Sequence, residues 1–206
     1  PSYSVFAEEE NQAKETQTNE TNKTQADETT ANDTLSLAAE TAVLIDAASG
    51  EILYDKDADK KMYPASITKL MTILLALENG KLTDEITFSH DAVYNIEPGS
   101  AHIAILEGET LTLEQVLRAI ILRSANEASN GVAEYVDGSV EAFAKHMTER
   151  AKELGCTNTN FVNANGLFDE NHYTTAHDMA LIARELLKHE EYRSMMSETD
   201  YEIPPT

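Results

Sequence analysis

Residues 63–80 are YPASITKLMTILLALENG, and the apolar side chains of this run recur at intervals of three and four. This spacing places them on one face of a helix. Pro64 suits the first turn of a helix, and Gly80 stands just beyond the last apolar turn. The run therefore predicts a buried helix. Its apolar face comprises Ile67, Leu70, Met71, Leu74 and Leu75.

The sequence predicts a hairpin before this helix and further helices after it. Two β-prone runs, Thr41–Asp46 and Glu51–Asp55, flank a turn that contains Gly50, which is a hairpin signal. Residues typical of helix starts and helix ends predict four more helices in the C-terminal part of the chain. Their markers are a capping box of Thr112 and Gln115 with an end near Arg123, a start near Asn126 with an end before Gly138, a cap at Ser139 with an end at Gly155, and a start after Thr175 with Asp178 in capping-box position.

This order of elements predicts an α+β fold, in which an antiparallel sheet is flanked by helices and a helical subdomain is added. A two-stranded hairpin is rarely stable alone, so we expect the sheet to need further strands. The single cysteine, Cys156, excludes an internal disulfide, and we predict that it is a small buried hydrophobe. The longest apolar run, Leu70–Leu77, is far shorter than the ~18 residues of a membrane span.

Composition and charge divide the chain and exclude one class of partner. The 206 residues carry a formal net charge of −22, which argues against binding to nucleic acid. Residues 8–34 contain no Leu, Ile, Val, Met or aromatic residue, so we predict a disordered acidic spacer over residues 8–36. Residues 1–7 are typical of a signal-peptide remnant, which would place the protein outside the cytoplasm. The predicted domain is then 37–206.

Ser66 and Lys69 are the first candidate catalytic pair. Residues at positions i and i+3 share a helix face, so a lysine at this spacing can accept the proton of the serine. Such a lysine needs a lowered pKa, which burial among apolar neighbours would supply. Ser66 also lies in the predicted first helical turn, where free backbone N–H groups can stabilise an oxyanion. The spacing alone is a weak signal, because a chain of this length should show it about once by chance.

A second candidate element is Ser124-Ala125-Asn126, a hydroxyl and an amide at a break between two predicted helices. Such a turn can aim both side chains into a cleft, although the motif taken alone favours a simple cap of the next helix by Ser124. Six histidines raise the question of a metal, but His172 and His177 have no third ligand at metal spacing. We assign them loop or capping roles and expect neither a metal nor another cofactor.

Four motifs in order along the chain closely resemble the serine D-alanyl-D-alanine carboxypeptidases, which are low-molecular-mass penicillin-binding proteins. The motifs are Tyr63–Thr72, Ser124–Ala128, Phe161–Leu167 and Thr174–Ala180. The resemblance implies the β-lactamase/DD-peptidase-like fold. It implies Ser66 as nucleophile, Lys69 as general base, Ser124 as proton relay and Asn126 as substrate-binding residue. The implied substrate is a peptidoglycan stem peptide in a bacterial envelope, and β-lactam antibiotics would acylate the same serine.

The sequence departs from this family because it contains no K-T-G triplet. In the family this triplet lies on a later strand and supplies a cation for the substrate carboxylate. We therefore interpret the chain as a fragment truncated before the K-T-G motif and the closing strands, and expect it to be inactive alone. On this interpretation the C-terminal anchor, through which family members reach the membrane surface, is also expected to be missing from the fragment.

Three other functions stay open at this point, and the sequence says nothing about oligomeric state. A β-lactamase shares the first two motifs, but the expected E-x-x-L-N pattern is missing and the triplet has Ala125 in place of aspartate. A transpeptidase or endopeptidase would act on the same peptides, and these motifs do not separate acceptors. A non-catalytic cell-wall-binding module is the third alternative.

Overall fold

The computed structural model describes residues 36–204. The predicted signal-peptide remnant at 1–7 and the predicted spacer, except for its last residue, lie outside the described residues. Two strands open the described part: β1, Ala42–Ile45, pairs antiparallel with β2, Ile52–Lys56. The carboxylate of Asp46 holds their turn by accepting hydrogen bonds from the backbone N–H groups of Ala48 and Ser49. This confirms the predicted hairpin.

The helices that follow the hairpin include the predicted ones in the predicted order. They are α1 (Lys69–Asn79), α2 (His90–Tyr94), α3 (Leu113–Arg123), α4 (Asn126–Asp137), α5 (Val140–Glu153), α6 (Ala176–Leu186) and α7 (Glu190–Met195). Helix α1 lies at the centre, packed against α3, α4, α5 and α6. Its residues from Met71 to Ala76 are all buried, because every one of its sides meets another element. The first residue of this helix, Lys69, is therefore carried into the interior.

Local capping signals predict the helix boundaries well. The capping box is present, since Thr112 accepts a hydrogen bond from the backbone N–H of Gln115, whose side chain accepts one in return. Ser139 caps α5 in the same manner. Asp178 differs from the prediction. Thr175 does cap α6, but the Asp178 carboxylate reaches away to accept hydrogen bonds from the loop at residues 157–159, from two backbone N–H groups and the Thr159 hydroxyl.

The start of α1 also differs from the prediction. A 3-10 turn, Ala65–Thr68, precedes the helix, so α1 begins at Lys69 and Ser66 lies one turn before it. Ala65 has φ +47°, a left-handed conformation that prevents the α-helix from beginning at Pro64. Ser66 still stands at the amino end of a continuous helical stretch.

The α+β prediction is confirmed, although several small elements were not foreseen. Strands β3, Glu85–Thr87, and β4, Thr110–Thr112, form a second antiparallel pair. Helices α2 and α7 are short and carry no strong apolar period. Cys156 is buried, which confirms the prediction for this residue, and burial raises the pKa of its thiol to about 12. None of the helices within residues 36–204 combines the length and the apolar character that crossing a membrane requires.

Candidate active site

The turn that carries Ser66 is braced by a distant loop. Asn163 shapes this loop by accepting hydrogen bonds from the backbone N–H groups of Asn165 and Gly166, at 3.3 and 2.7 Å. Gly166 has φ +87°, and a Cβ atom at this position would lie 1.9 Å from the carbonyl oxygen of Ala65. Only glycine therefore allows the loop to lie against the residue that precedes Ser66.

Lys69 is placed to act on Ser66. Its amine lies 3.4 Å from the Ser66 hydroxyl oxygen and donates a hydrogen bond to it. A second hydrogen bond, of 2.6 Å, goes to the carbonyl oxygen of Asn165. The side chain is only 4% exposed, and this burial lowers the pKa of the amine to about 8 against an opposing effect of Glu127. More of the amine is then neutral near physiological pH than for an ordinary lysine, and the neutral form is the one that a general base requires.

Ser124 and Asn126 lie where α3 ends and α4 begins. Ser124 has φ +55°, and its hydroxyl oxygen is enclosed without a hydrogen-bond partner among residues 36–204. Strain of this kind, together with an unpaired polar atom, is typical of functional positions. Asn126 is buried, and its backbone N–H donates to the carbonyl oxygen of Ala101.

A hydrogen-bonded chain connects the Lys69 side to helix α4. The side-chain amide of Asn165 donates to the side-chain oxygen of Asn130, at 3.1 Å, while the backbone carbonyl of Asn165 accepts from Lys69. Asn130 is one turn beyond Asn126 on α4. The structure thus connects Lys69, of the first candidate pair, to helix α4, which begins with Asn126 of the second candidate element.

His172 has a structural position behind the serine turn. Its Nδ1 atom accepts the backbone N–H of Val162, so Nε2 carries the proton and donates to the Thr68 hydroxyl, at 2.7 Å. The ring is 2% exposed, and burial lowers its pKa to about 4. His177 pairs with Asp59 in a loop contact. No group of three or more potential metal ligands occurs within residues 36–204.

The buried neutral state of His172 predicts a specific loss of stability in acid. A folded-state pKa below the ordinary value of 6.5 means that the unfolded chain binds the proton more tightly. The free energy of unfolding should fall as pH drops from 6.5 towards 4, by at most about 1.4 kcal/mol per pH unit from this group. Urea unfolding of the wild type and His172→Asn at pH 7, 6 and 5 measures it. Equal slopes in the two proteins would contradict the assignment.

One aromatic pair and one acid were not identified from the sequence as parts of the site. The rings of Tyr63 and Phe168 meet edge to face at 5.0 Å, and both are mostly exposed beside the serine turn. Glu127, in the first turn of α4, is buried and acts on the charge of Lys69. In the sequence Glu127 stands between Ala125-Asn126 and Ala128, and these uncharged neighbours are the signal that could have identified this acid.

A family model described as D-alanyl-D-alanine carboxypeptidase matches residues 24–203. The chain belongs to this family. The D-alanyl-D-alanine carboxypeptidase DacF of Bacillus subtilis is 43% identical over 161 residues, which are 76% of this chain and 41% of that protein. DacC of Escherichia coli, also a D-alanyl-D-alanine carboxypeptidase, is 37% identical over 160 residues. The chain thus spans about two-fifths of the length of these curated relatives.

Solved structures place the fold among the penicillin-binding proteins and DD-peptidases. Penicillin binding protein 5 of Haemophilus influenzae matches with a TM-score of 0.76 and 34% identity, over 82% of this chain and 51% of that one. A variant of the DD-transpeptidase of Streptomyces K15 matches with a TM-score of 0.74 and 25% identity, over 78% of this chain and 65% of that one. These matches confirm the predicted fold class and the resemblance found in the four motifs.

Proposed function

We propose that this chain carries the acylating part of a serine-type D-alanyl-D-alanine carboxypeptidase, which removes the terminal D-alanine from peptidoglycan stem peptides. The observation that carries the proposal is the buried Lys69 amine, 3.4 Å from the Ser66 hydroxyl oxygen. Membership of the D-alanyl-D-alanine carboxypeptidase family supports the substrate class. The names of the relatives support a site of action outside the cytoplasm of a bacterium, where peptidoglycan lies.

The proposed acylation starts when Ser66 attacks the carbonyl carbon between the two terminal D-alanines. The proton of its hydroxyl passes to the neutral amine of Lys69 as the new C–O bond forms. The C–N bond then breaks, and the departing D-alanine receives a proton. Water later hydrolyses the ester on Ser66 and restores the hydroxyl. A base with a pKa of about 8 suits both acylation and hydrolysis, since it can accept and return a proton near neutral pH.

Ser124 and Asn126, at the junction of α3 and α4, would complete the proposed site. The enclosed Ser124 hydroxyl has no competing hydrogen bond among the described residues and is free to relay the proton to the leaving D-alanine. Asn126 would hold the amide of the substrate. The backbone N–H of Ser66, at the amino end of the helical stretch, would donate to the oxyanion. A β-lactam antibiotic would acylate the same serine, and its retained leaving group would block hydrolysis.

We also propose that the 206-residue chain is inactive when it is produced alone. It contains no K-T-G triplet, so it lacks the cation that would hold the terminal carboxylate of the substrate. A fluorescent penicillin should therefore label the product of the complete gene but not the isolated chain. Gel fluorescence and mass spectrometry of the labelled peptide measure this. Stoichiometric labelling of the isolated chain at Ser66 would overturn the proposed inactivity, and a complete product that carries K-T-G but takes no label would overturn the family role.

Transpeptidation is the second candidate function, because one matching structure is a DD-transpeptidase. The two activities share the acyl-enzyme on Ser66 and differ in whether water or an amine attacks it. Incubation of the complete gene product with a stem pentapeptide and an amino-acid acceptor distinguishes them by mass spectrometry. Shortened peptide alone supports the carboxypeptidase, whereas a substantial transfer product supports the transpeptidase.

A further inference from the structure

A cavity lies between residues 93–106 and the first turn of α4, and the acylation chemistry above does not use it. Its volume is about 330 Å³, within the range of roughly 300–1,000 Å³ that is typical of small-molecule sites. Its walls are largely apolar and include Val93, Ile96 and Ile105. A pocket with apolar walls and few polar groups is the usual form of a binding site for a small organic molecule.

Glu127 supplies the polar group of this cavity that has no partner. It lines the cavity, and only 1% of the residue is exposed. One carboxylate oxygen, Oε1, accepts a 2.7 Å hydrogen bond from the backbone N–H of Ile103, whereas Oε2 is enclosed and has no hydrogen-bond partner among residues 36–204. The Lys69 amine donates to Ser66 and Asn165 and is not that partner. A buried carboxylate oxygen without a donor is costly, so the cavity favours an occupant that donates to it.

The charges around the cavity favour a cationic occupant. Glu97 adds a second carboxylate to the lining, and no lysine or arginine is among the described residues that line it. His102 also lines the cavity, but its Nδ1 atom accepts the backbone N–H of Ala104 at 3.1 Å, so the ring is neutral in this arrangement. Residues 82–117 contain seven acids and neither lysine nor arginine. The cavity therefore lies in a negative electrostatic field.

The groups that line the cavity suit an organic cation better than a metal ion. Within residues 36–204, no group of three or more His, Cys, Asp or Glu is placed to hold a metal. A primary ammonium needs only one carboxylate, because it carries three donors on a single nitrogen. The carbon chain attached to it can contact the apolar walls at the same time.

The wall that contacts Glu127 is held in shape by the protein. The backbone N–H of Ile103 donates to Glu127, and that of Ala104 donates to His102. Ala104 has φ +64°, a left-handed conformation that alanine rarely adopts without constraint. A preformed wall lowers the entropic cost of binding, because the ligand does not have to order it.

We propose that this cavity binds a primary ammonium group carried on a short apolar chain. The ammonium donates to Oε2 of Glu127, the exposed Glu97 supplies a second negative charge, and the chain contacts Val93 and Ile105. The ammonium can belong to a free alkylamine or to a lysine-type side chain of a peptide. The inference goes beyond the proposed function, since no step of the acylation passes through this cavity.

Binding is measured by ¹H–¹⁵N NMR titration of the 206-residue chain with n-pentylammonium chloride. The matched probe is 1-pentanol, which has the same carbon chain without the charge, and sodium chloride keeps the ionic strength constant. We expect saturable shifts of the amide signals of residues 93–106 and Glu127, with a dissociation constant roughly tenfold lower for pentylammonium than for pentanol. An absence of saturable shifts there, or equal affinities for the two probes, would overturn the proposal.

Glu127→Gln tests the carboxylate itself. It keeps the size of the side chain and an oxygen for the N–H of Ile103 but removes the charge, so the preference for pentylammonium over pentanol should be lost. Glu134→Gln is the control, because it removes the same charge from the same helix two turns away, where Glu134 accepts from Ser89. This control should keep the preference. An unchanged preference in Glu127→Gln, or an equal loss in both variants, contradicts the proposal.

Amide spectra check that each variant folds. If Glu127→Gln does not fold, the exposed Glu97 provides a second variant that the fold tolerates. Glu97→Gln should raise the dissociation constant of pentylammonium by roughly twofold or more and leave that of pentanol unchanged. Wild-type affinity for pentylammonium in Glu97→Gln would then exclude the proposed site.

A third probe, Nα-acetyl-lysine methylamide, identifies the source of the amine. It presents the same ammonium on a peptide unit, so tighter binding than that of pentylammonium indicates a peptide side chain, and equal or weaker binding indicates a free amine. Both results support the site. The titration does not involve Ser66, so a failed penicillin-labelling experiment would leave its result intact. Conversely, labelling of the complete gene product without any amine binding would retain the proposed function and remove only this site.

Discussion

Replacing Ser66 with alanine should abolish covalent labelling of the complete gene product by penicillin, and with it the release of D-alanine. The hydroxyl is the atom that forms the acyl bond in the proposed mechanism, and within residues 36–204 no other hydroxyl hydrogen-bonds to the Lys69 amine. Intact-mass spectrometry after incubation with excess penicillin measures the covalent adduct. An adduct of unchanged stoichiometry in Ser66→Ala would show that another residue is the nucleophile.

Lys69→Met should retain the serine but lose the base, and we expect the acylation rate to fall by roughly 10²–10⁴-fold. Methionine keeps most of the buried apolar stem, so the fold should tolerate the change better than it would tolerate a shorter side chain. The exposed Lys152 on α5 provides the control, since Lys152→Met should acylate at the wild-type rate. Wild-type acylation kinetics in Lys69→Met would exclude the lysine as the base.

A large loss of stability is expected for Gly166→Ala. The added Cβ would lie 1.9 Å from the carbonyl oxygen of Ala65 and 2.4 Å from its carbon, and backbone atoms cannot turn aside as a flexible side chain can. Together with the left-handed φ of Gly166, this overlap should lower the free energy of unfolding by roughly 3–5 kcal/mol. It should also displace the turn that carries Ser66. Urea unfolding measures the loss of stability.

Gly138→Ala separates the two causes of this loss. Gly138 has a similar φ, +78°, but an added Cβ meets no atom within 4 Å. This variant should lose only the conformational term, about 1 kcal/mol. If Gly166→Ala were no more destabilised than Gly138→Ala, the overlap with Ala65 would contribute nothing to the loss of stability.

Features that depend on near neighbours in the chain were predictable from the sequence. The capping box of Thr112 and Gln115 and the cap at Ser139 need only three residues of context, and both were predicted correctly. The Ser66 and Lys69 pair is of the same kind, because helical spacing alone brings its two side chains together. Family motifs then supplied the wider arrangement that local patterns do not contain.

Features decided by distant contacts were missed or assigned differently. Asp178 has the sequence position of a capping-box residue, yet it binds the loop at 157–159, since tertiary donors there compete with its own helix. Because Ala65 has a left-handed φ, α1 begins later than predicted, and no local sequence pattern predicts such a conformation for alanine. The charge effect of Glu127 on Lys69 depends on how α1 packs against α4. Each of these depends on residues that are far apart in the sequence.

The contact between Ala65 and Gly166 also determines when the serine turn can form. The two residues are about 100 positions apart, so the turn cannot close against its support until most of the described chain has been synthesised and has folded back. Closing a loop of this length is entropically costly and slow compared with forming a local helix. We therefore expect the turn that carries Ser66, the proposed nucleophile, to be assembled late in folding. Antibiotic acylation would then mark only molecules that have completed folding, while nascent and partly folded chains escape it.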